Sequence, residues 1–340
     1  MNAPAVDLPI VDIDDLNPGK ELSRGLFETG FFLLRDHVIP RELLDRVRAS
    51  TLAFLARPEA DKQRVRGSLR GWAPYRSESA ASGYGEDSDE RDACEKYSMG
   101  RQPTAEERAA DPAYYGDPEA RIYFEDNVFP NAEMEASWTE YYRRMDALSL
   151  RLLDLVRRQL GLTPEVWESV ASHPMSVLRF LAYPDHSQGP DHASGIRMGA
   201  HYDDTLLTVL HQSVPTNGFA ALQVMLPGED EWRSVKPSDD VFVVNIGEAL
   251  TYISGGRAVA TRHRVVGPPS EHRAGSARTS LVHFFLPNWN ARLWPAAGKA
   301  IDHQLTRFDH PDLLEPDGSV VYYKAMRATL EGLTRPGATP

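Results

Sequence analysis

The region from Ser176 to Pro287 contains a regular succession of short apolar segments, and this pattern limits the possible folds more than any other feature. Turn signals such as Thr216-Asn217-Gly218 and Gly255-Gly256 separate the segments. Eight short strands at roughly even spacing predict a distorted jelly roll, or double-stranded β-helix, within an α+β protein that has a mainly β core. The predicted strands cover residues 176–183, 197–204, 205–211, 219–225, 240–245, 250–254, 259–266 and 278–286.

Helical periodicity flanks this region. The clearest helix is predicted over residues 131–161, where apolar residues recur every three or four positions and Gly161 follows them. Further helices are predicted over 20–29, 40–54 and 322–330, and short strands over 8–16 and 30–34. Residues 56–120 are polar and are interpreted mainly as a surface excursion, with Cys94 as a small packing residue.

The helices are expected to pack around one β-core, so residues 1–340 are interpreted as a single domain. Its parts are a helix-rich section (1–175), the jelly-roll core (176–290) and a C-terminal segment (291–340). The sequence leaves open whether residues 56–120 or 291–340 form a lid.

Composition narrows the classes of function. A net charge of -12 argues against binding to nucleic acid, which requires basic residues to neutralise phosphates. The single cysteine excludes an intrachain disulfide and a cysteine-based zinc site. The acidic N-terminus does not resemble a signal peptide, and no apolar run is long enough to span a membrane. We therefore expect a soluble cytoplasmic protein, and its oligomeric state stays open.

A candidate metal site begins at His201 and Asp203, which are two residues apart in a predicted strand and so point to the same face. His263 follows 62 residues later, a separation that allows it to return to the same end of a jelly roll. Two histidines and one carboxylate form the facial set that binds non-haem Fe(II) and leaves positions open for substrates. His211, His283 and His303 are alternative ligands, or simply core and surface residues.

A second candidate site is Arg278-Thr279-Ser280, where the arginine and the serine share a strand face. A guanidinium can hold a carboxylate through two parallel hydrogen bonds, and a hydroxyl adds a third. A di-acid that chelates iron at one end and presents a free carboxylate at the other fits both sites, and 2-oxoglutarate has this structure.

With these residues the sequence resembles the Fe(II)/2-oxoglutarate-dependent oxygenases of the isopenicillin N synthase-like family. Within the family it is most similar to the ring-expanding enzymes of the deacetoxycephalosporin C synthase type. The similarity runs from Pro9 to about Asn288. The shared segments are Gly30-Phe31-Phe32, Tyr97 to Gly100, Leu178-Arg179-Phe180 with Tyr183-Pro184, Met198 to Asp203, Gly218-Phe219 with Leu222-Gln223, and Arg278 to Ser280 with Pro287-Asn288.

The resemblance implies roles for particular residues. His201, Asp203 and His263 would bind Fe(II) and form the catalytic centre. Arg278 and Ser280 would bind the distal carboxylate of 2-oxoglutarate, with Tyr183 and Met198 lining its site. O2 would be the second co-substrate, and ascorbate is expected to support turnover.

The resulting prediction is a 2-oxoglutarate-dependent dioxygenase of secondary-metabolite or antibiotic biosynthesis. The reaction could be hydroxylation, desaturation, ring expansion or cyclisation. The ring-expanding enzymes have a second arginine where this chain has Leu181, which argues against a penicillin substrate. Two alternatives stay open: an oxoglutarate-independent iron oxidase of the isopenicillin N synthase type, and a non-enzymatic jelly-roll binding protein.

The predicted substrate pocket follows from strand parity, by which side chains an even number of residues apart on a strand point to the same face. Arg179, Leu181 and Tyr183 share one face of their strand, and Phe284 shares the face of Arg278 and Ser280. We expect Arg179 to anchor a polar group of the substrate, with Leu181 and Phe284 packing against its apolar part. The alternative is a structural Arg179 paired with an acidic neighbour at the mouth of the barrel.

Overall fold

Two β-sheets that enclose a common interior form the centre of the protein. A computed structural model describes residues 3–15, 19–35, 38–83, 91–187, 195–295, 306, 308 and 311–334. The large sheet has eight described strands and the small sheet has four. A further pair of strands lies outside these sheets.

The strands are short, as the sequence pattern predicts. The large sheet contains β1 (Ile10–Asp12), β2 (Phe31–Arg35), β3 (Gly71–Ala73), β4 (Glu95–Gly100), β5 (Val177–Tyr183), β7 (Leu207–Gln212), β10 (Phe242–Ile246) and β12 (Arg278–Phe285). The small sheet contains β6 (Ile196–His201), β8 (Leu222–Met225), β9 (Arg233–Ser234) and β11 (Arg262–Val266), and the further pair is β13 (Arg292–Leu293) with β14 (Val320–Val321). The strand order is β1-β2-β10-β7-β12-β5-β4-β3 in the large sheet and β6-β11-β8-β9 in the small sheet.

Helices surround the sheets. They are α1 (Gly19–Arg24), followed by one π-helical turn (Gly25–Thr29), then α2 (Arg41–Leu55), α3 (Glu59–Lys62), α4 (Ala80–Gly83), α5 (Ala105–Ala110), α6 (Pro112–Gly116), α7 (Ala132–Leu160), α8 (Pro164–Ala171), α9 (Glu248–Ile253) and α10 (Tyr322–Thr334). In the described part of the chain, no helix is both long and apolar enough to cross a membrane.

The long helix α7 forms as its sequence predicts. The Asn131 side chain accepts a hydrogen bond from the Met134 N–H at 2.8 Å, which caps the first turn. Gly161 ends the helix in the left-handed conformation with φ of 62°. Trp138 and Leu152, on its apolar face, are fully buried. Helix α7 therefore covers the outer face of the large sheet, which it contacts through β12 and β7.

The jelly-roll prediction is confirmed, with one wrong element. The sequence pattern predicts a strand over residues 250–254, but these residues belong mainly to helix α9. All six residues of α9 are buried, so the helix has no solvent-exposed face, and a short buried segment of this kind does not distinguish a helix from a strand by its periodicity. The predicted strands over 197–204 and 205–211 are also shorter, because β6 ends at His201 and β7 begins at Leu207.

The prediction of a surface excursion over residues 56–120 is wrong for its middle part. Strands β3 and β4 from this segment extend the large sheet beyond β5. Lys96 and Tyr97 on β4 are buried, and Cys94 is packed in the interior as predicted. The sheet therefore combines strands from both the helix-rich section and the jelly-roll section.

Candidate active site

A cavity opens between the two sheets, and all the predicted site residues line it. These are His201, Asp203, His263, Arg278, Ser280, Tyr183, Met198, Arg179, Leu181 and Phe284. Strand parity brings them together, since alternate residues of β5 and of β12 face the same interior. The strand pairing also sets Arg278 opposite Tyr183 and Ser280 opposite Leu181.

The candidate metal ligands meet at one end of this cavity. His201 on β6 pairs in register with His263 on β11, and their ring centroids are 4.3 Å apart. Asp203 lies just after β6, and its Oδ1 is 3.7 Å from His201 Nε2 and 3.8 Å from His263 Nε2. One ligand atom from each residue can be chosen so that all lie within 4.8 Å of one another. The three side chains thus converge on one point, as the sequence predicts.

Neighbouring groups fix the orientation of each candidate ligand. Nδ1 of His201 lies 2.8 Å from the Gly199 carbonyl, and Nδ1 of His263 lies 3.1 Å from the Thr261 carbonyl. A carbonyl is an acceptor, so each Nδ1 carries the proton and each Nε2 keeps its lone pair for a metal. This arrangement is typical of metal-binding histidines.

Asp203 is oriented by the large sheet. Its Oδ2 accepts hydrogen bonds from Thr208 Oγ1 on β7 at 2.6 Å and from Asn245 Nδ2 on β10 at 2.8 Å. Both donors are buried, and they leave Oδ1 to face the histidines. The motifs in the sequence do not predict these two supporting residues. An asparagine inside the apolar run Val243-Val244-Asn245-Ile246 is the signal that could have revealed one of them.

Burial and neighbouring groups keep His201 and Asp203 in the protonation states that bind a metal. Burial, followed by the neighbouring His263, lowers the pKa of His201 to about 3, so its imidazole is neutral at neutral pH. Burial alone would raise the pKa of Asp203, yet the two imidazoles and the two hydrogen bonds lower it below its usual value. A neutral imidazole and an ionised carboxylate are the forms that bind divalent metals.

These residues fit Fe(II). Two imidazoles and one carboxylate on one face are the donor set of non-haem Fe(II) sites, which keep positions open for substrates. Each donor is supported by a hydrogen bond to its other polar atom. His201, Asp203 and His263 would therefore hold the metal.

The residues of the predicted carboxylate clamp lie further along the cavity. Arg278 is buried, and its Nη2 donates to Ser280 Oγ at 2.8 Å and to Gln212 Oε1 at 3.1 Å. Its Nη1 is buried and makes no hydrogen bond to any described residue. The Tyr183 ring lies 4.9 Å from the guanidinium. A buried guanidinium with an unused N–H group, close to a metal site, fits the distal carboxylate of 2-oxoglutarate. No motif in the sequence predicts the contribution of Gln212.

A network of buried charges, which the sequence also does not predict, lines another part of the cavity. Lys96 Nζ contacts Asp92 Oδ2 and Glu78 Oε2, each at 2.8 Å. Arg179 donates from Nη1 to Glu78 Oε2 and from Nε to Ser98 Oγ, each at 3.0 Å. Burial would raise the pKa of Glu78, yet Arg179 and Lys96 lower it to about 2. Arg179 therefore lines the cavity and is also paired with an acid, so its geometry matches both expectations.

The other histidines considered as ligands lie elsewhere. His211 contacts Arg48 of α2 and the Asp239 carbonyl, and His283 contacts Ser149 of α7 at 3.0 Å. The residues of β7 and β12 that line the cavity have even numbers, whereas these two histidines have odd numbers. Because side chains alternate along a strand, both histidines point to the outer face of the large sheet. His303 lies outside the described residues.

A jelly roll with this donor set at one end of its interior defines a non-haem Fe(II) oxygenase. Residues 172–287 match the family described as the 2OG-Fe(II) oxygenase superfamily. Residues 4–120 match the family described as non-haem dioxygenase in morphine synthesis N-terminal. The chain belongs to the 2OG-Fe(II) oxygenase superfamily, so the predicted resemblance is confirmed.

Individual relatives cover most of the chain. A deacetoxycephalosporin C synthase from Amycolatopsis lactamdurans is 29% identical over 296 residues, which cover 84% of this chain and 86% of that protein. The 2-oxoglutarate-dependent dioxygenase citB from Monascus ruber is 30% identical over 313 residues, which cover 85% and 87%. The crystal structure of a 2OG-Fe(II) oxygenase family protein from Caulobacter crescentus superposes with a TM-score of 0.72 at 23% identity, covering 96% of this chain and 99% of that chain.

The protein is accordingly a 2-oxoglutarate-dependent dioxygenase of small molecules, and it uses Fe(II), 2-oxoglutarate and O2. When bound, the metal and its co-substrates supply the oxidant for C–H bonds. The chain itself binds and orients the substrate and limits the access of water. The specificity of the enzyme therefore depends on the residues that line the rest of the cavity.

Proposed function

We propose that this enzyme oxidises a small, largely apolar molecule that carries one anionic group, in secondary-metabolite biosynthesis such as that of an antibiotic. Similarity to a deacetoxycephalosporin C synthase supports this metabolic setting. The proposal assigns His201, Asp203 and His263 to iron, and Arg278, Ser280, Tyr183 and Met198 to 2-oxoglutarate. The outcome, whether hydroxylation, desaturation, ring expansion or cyclisation, depends on which C–H bond the cavity places beside the metal.

The main support for an anionic group on the substrate comes from Arg70. Its side chain is buried and lines the same cavity. Its Nη2 donates to the Tyr123 carbonyl at 2.7 Å, while its Nε is buried without a hydrogen-bond partner among the described residues. Burial lowers its pKa to about 10, so the group is still charged at neutral pH. No carboxylate of the described chain lies within 4.0 Å of it.

Counting the charges in this part of the cavity supports the same substrate class. The cations are Arg70, Lys96 and Arg179, and the anions that contact them are Glu78 and Asp92. Among the described residues, these cations therefore exceed the anions in direct contact with them by one, and Glu125 acts on Arg70 only from beyond ion-pair distance. A buried charge without a partner is costly, so a ligand with one negative charge would be favoured here.

Apolar side chains form the rest of the wall. Phe284 and Leu286 line it from β12 and the residues after it, and Met326 and Leu330 line it from α10. Aliphatic and aromatic side chains favour a ligand whose body is apolar, because its burial removes apolar surface from water. The substrate class that matches both features is an amphipathic acid.

This arrangement changes the role expected for Arg179. Its Nε and Nη1 are used by Ser98 and Glu78, and Nη2 has no hydrogen-bond partner among the residues that the structure describes. We assign the principal contact with the anion to Arg70, and to Arg179 a weaker contact through Nη2. Leu181 and Phe284 keep the role of apolar walls.

A substrate panel tests the proposal. Amphipathic acids, each with its neutral methyl ester, would be incubated with Fe(II), 2-oxoglutarate and ascorbate under air, and succinate and oxidised product would be measured. We expect an acid to have a KM at least about tenfold below that of its ester, since hydrogen bonds to charged groups contribute about 1.5–3 kcal/mol. Esters that react as well as their acids would contradict the proposed substrate class. Product formed without 2-oxoglutarate would indicate the oxidase alternative.

Two variants test whether Arg70 causes the preference for the acid. Arg70→Met should remove the preference for the acid while leaving the 2-oxoglutarate KM within about threefold, because the metal and the clamp are unchanged. Gly100→Ala should have a similar effect, since a Cβ at this position would lie 2.1 Å from Arg70 Nη2 and displace the guanidinium. Arg64→Met, at an exposed arginine, is the matched control and should keep the preference.

A further inference from the structure

A second buried arginine, Arg197, lies close to the proposed 2-oxoglutarate clamp. It is the second residue of β6 and is one of the largest fully buried side chains. Its Nη1 donates to the Ser276 carbonyl at 3.0 Å, and its Nη2 donates to the Pro184 carbonyl at 2.9 Å and to Ser276 Oγ at 3.1 Å. Its Nε has no hydrogen-bond partner in the described part of the chain. All of these acceptors are neutral.

Arg197 and Arg278 contact the same aromatic ring. The guanidinium carbon of Arg278 is 4.9 Å from the centre of the Tyr183 ring, and that of Arg197 is 6.0 Å from it. The two cations are close enough for Arg278 to lower the pKa of Arg197, after the larger effect of burial. Each contact is a cation–π interaction, which attracts the cation to the ring without neutralising its charge.

No described carboxylate is in direct contact with either of these cations. Neither arginine forms an ion pair within 4.0 Å of any acidic group in the described ranges. Asp185, in the loop next to Arg197, accepts hydrogen bonds from the backbone N–H groups of Ser187 and Gly275, and its charge raises the pKa of Arg197 less than burial and Arg278 lower it. Arg278 in the cavity wall and Arg197 behind the Tyr183 ring are therefore two buried positive charges, where a clamp for one carboxylate requires a single charge.

We propose that Arg197 is a positioning residue for the co-substrate. It adds a second positive charge beside the Arg278 clamp, and the enzyme thereby selects a 2-oxo acid whose distal group is ionised. The inference rests on the proposed role of Arg278 and Ser280. It goes further by assigning to Arg197, which does not line the cavity, part of the electrostatic attraction for the distal carboxylate.

Charge must be separated from a purely structural effect, since Arg197 also links two loops. Its hydrogen bonds to Pro184 and Ser276 join the chain after β5 to the chain before β12. Arg197→Met removes both the charge and the links. Arg197→Gln removes the charge and keeps donors for one or two links. Ser276→Ala removes the hydrogen bonds that Ser276 Oγ accepts from Arg197 Nη2 and from the His186 N–H, and it leaves the charge, so it is the matched control.

The test is a calorimetric titration of the Fe(II)-loaded protein without O2, using two ligands. One is 2-oxoglutarate, and the other is 2-oxoglutaramate, whose distal carboxylate is replaced by a neutral amide. In Arg197→Met and Arg197→Gln we expect the 2-oxoglutarate Kd to rise on the order of tenfold, as for a loss of one nearby charge in a buried site. The 2-oxoglutaramate Kd should change less than about threefold. Ser276→Ala should change neither Kd by more than about threefold.

The outcomes separate this inference from the proposed function. If the unsubstituted protein fails to bind 2-oxoglutarate, the proposed function is wrong. If it binds and Arg197→Gln binds equally well, the inference alone is wrong. Equal losses for both ligands, or an equal loss in Ser276→Ala, would show that Arg197 acts by holding the loops, and would also overturn the role assigned to its charge.

Discussion

Replacement of Asn245 by leucine should weaken the binding of Fe(II) although this residue is not a metal ligand. Asn245 Nδ2 donates to Asp203 Oδ2 at 2.8 Å, and both side chains are buried. Leucine has nearly the same shape and cannot donate. The Oδ2 atom would then keep the hydrogen bond from Thr208 alone, so the carboxylate could rotate away from the histidines.

The magnitude follows from the kind of hydrogen bond that is lost. A hydrogen bond to a charged group contributes about 1.5–3 kcal/mol, which corresponds to roughly 10- to 100-fold in Kd. Loss of the donor should also raise the pKa of Asp203, because this hydrogen bond is one of the interactions that lower it. The loss of affinity should therefore grow as the pH falls, since protons compete with the metal for the carboxylate.

The assay is an anaerobic Fe(II) titration of the metal-free protein at several pH values, with thermal unfolding of the same samples. Thr208→Val removes the other donor and should have a similar effect, and the double variant should bind iron more weakly than either single variant. Asn217→Leu, in a half-buried turn, is the control for a general effect on stability. An Asn245→Leu protein with an unchanged iron Kd would refute the idea that this hydrogen bond orients Asp203.

Three further predictions concern other residues. His263→Ala should abolish iron binding and turnover, whereas His211→Ala should keep both; the reverse pattern, measured by metal analysis and succinate release, would show that the third ligand is wrong. Arg278→Gln should raise the 2-oxoglutarate KM by roughly 30-fold or more, corresponding to about 2–4 kcal/mol, with partial rescue by Arg278→Lys in steady-state assays; an unchanged KM would contradict the clamp. Burial lowers the pKa of His283 to about 3 from 6.5, so the unfolded chain binds more protons between these values. Stability should consequently fall as the pH drops through that window, by up to about 1.4 kcal/mol per pH unit, and His283→Asn should reduce the slope of the unfolding free energy against pH; an unaltered slope would exclude His283 as its source.

Strand parity and motif spacing are sufficient to predict much of this protein. A short strand has two faces, so the separation of Arg278, Ser280 and Phe284 by even numbers of residues places them on one face regardless of how the sheets pack. The same argument applies to Arg179, Leu181 and Tyr183. The metal set is predictable because few side chains bind iron, and two of the three candidates are only two residues apart in the sequence.

The contacts that hold Asp203 in place depend on tertiary structure. Thr208 and Asn245 come from two strands of the large sheet, and only strand order brings them to Asp203. The residues of β3 and β4 have a polar sequence context, which suggests exposure. Lys96 is nevertheless buried, since Asp92 and Glu78 neutralise it, and neither acid stands out in the sequence as its partner.

The net charge of the cavity wall also depends on tertiary structure. A sequence shows how many arginines a chain has, but not which of them contact a carboxylate. Arg179 is paired with Glu78, which is 101 residues away, whereas Arg70 and Arg197 have no acid within ion-pair distance among the described residues. Local residue patterns therefore determine most of the elements, the proposed iron ligands and the proposed clamp. The three-dimensional packing determines which buried charges are left to interact with ligands, because neighbouring strands of a sheet bring together residues that are far apart in the chain.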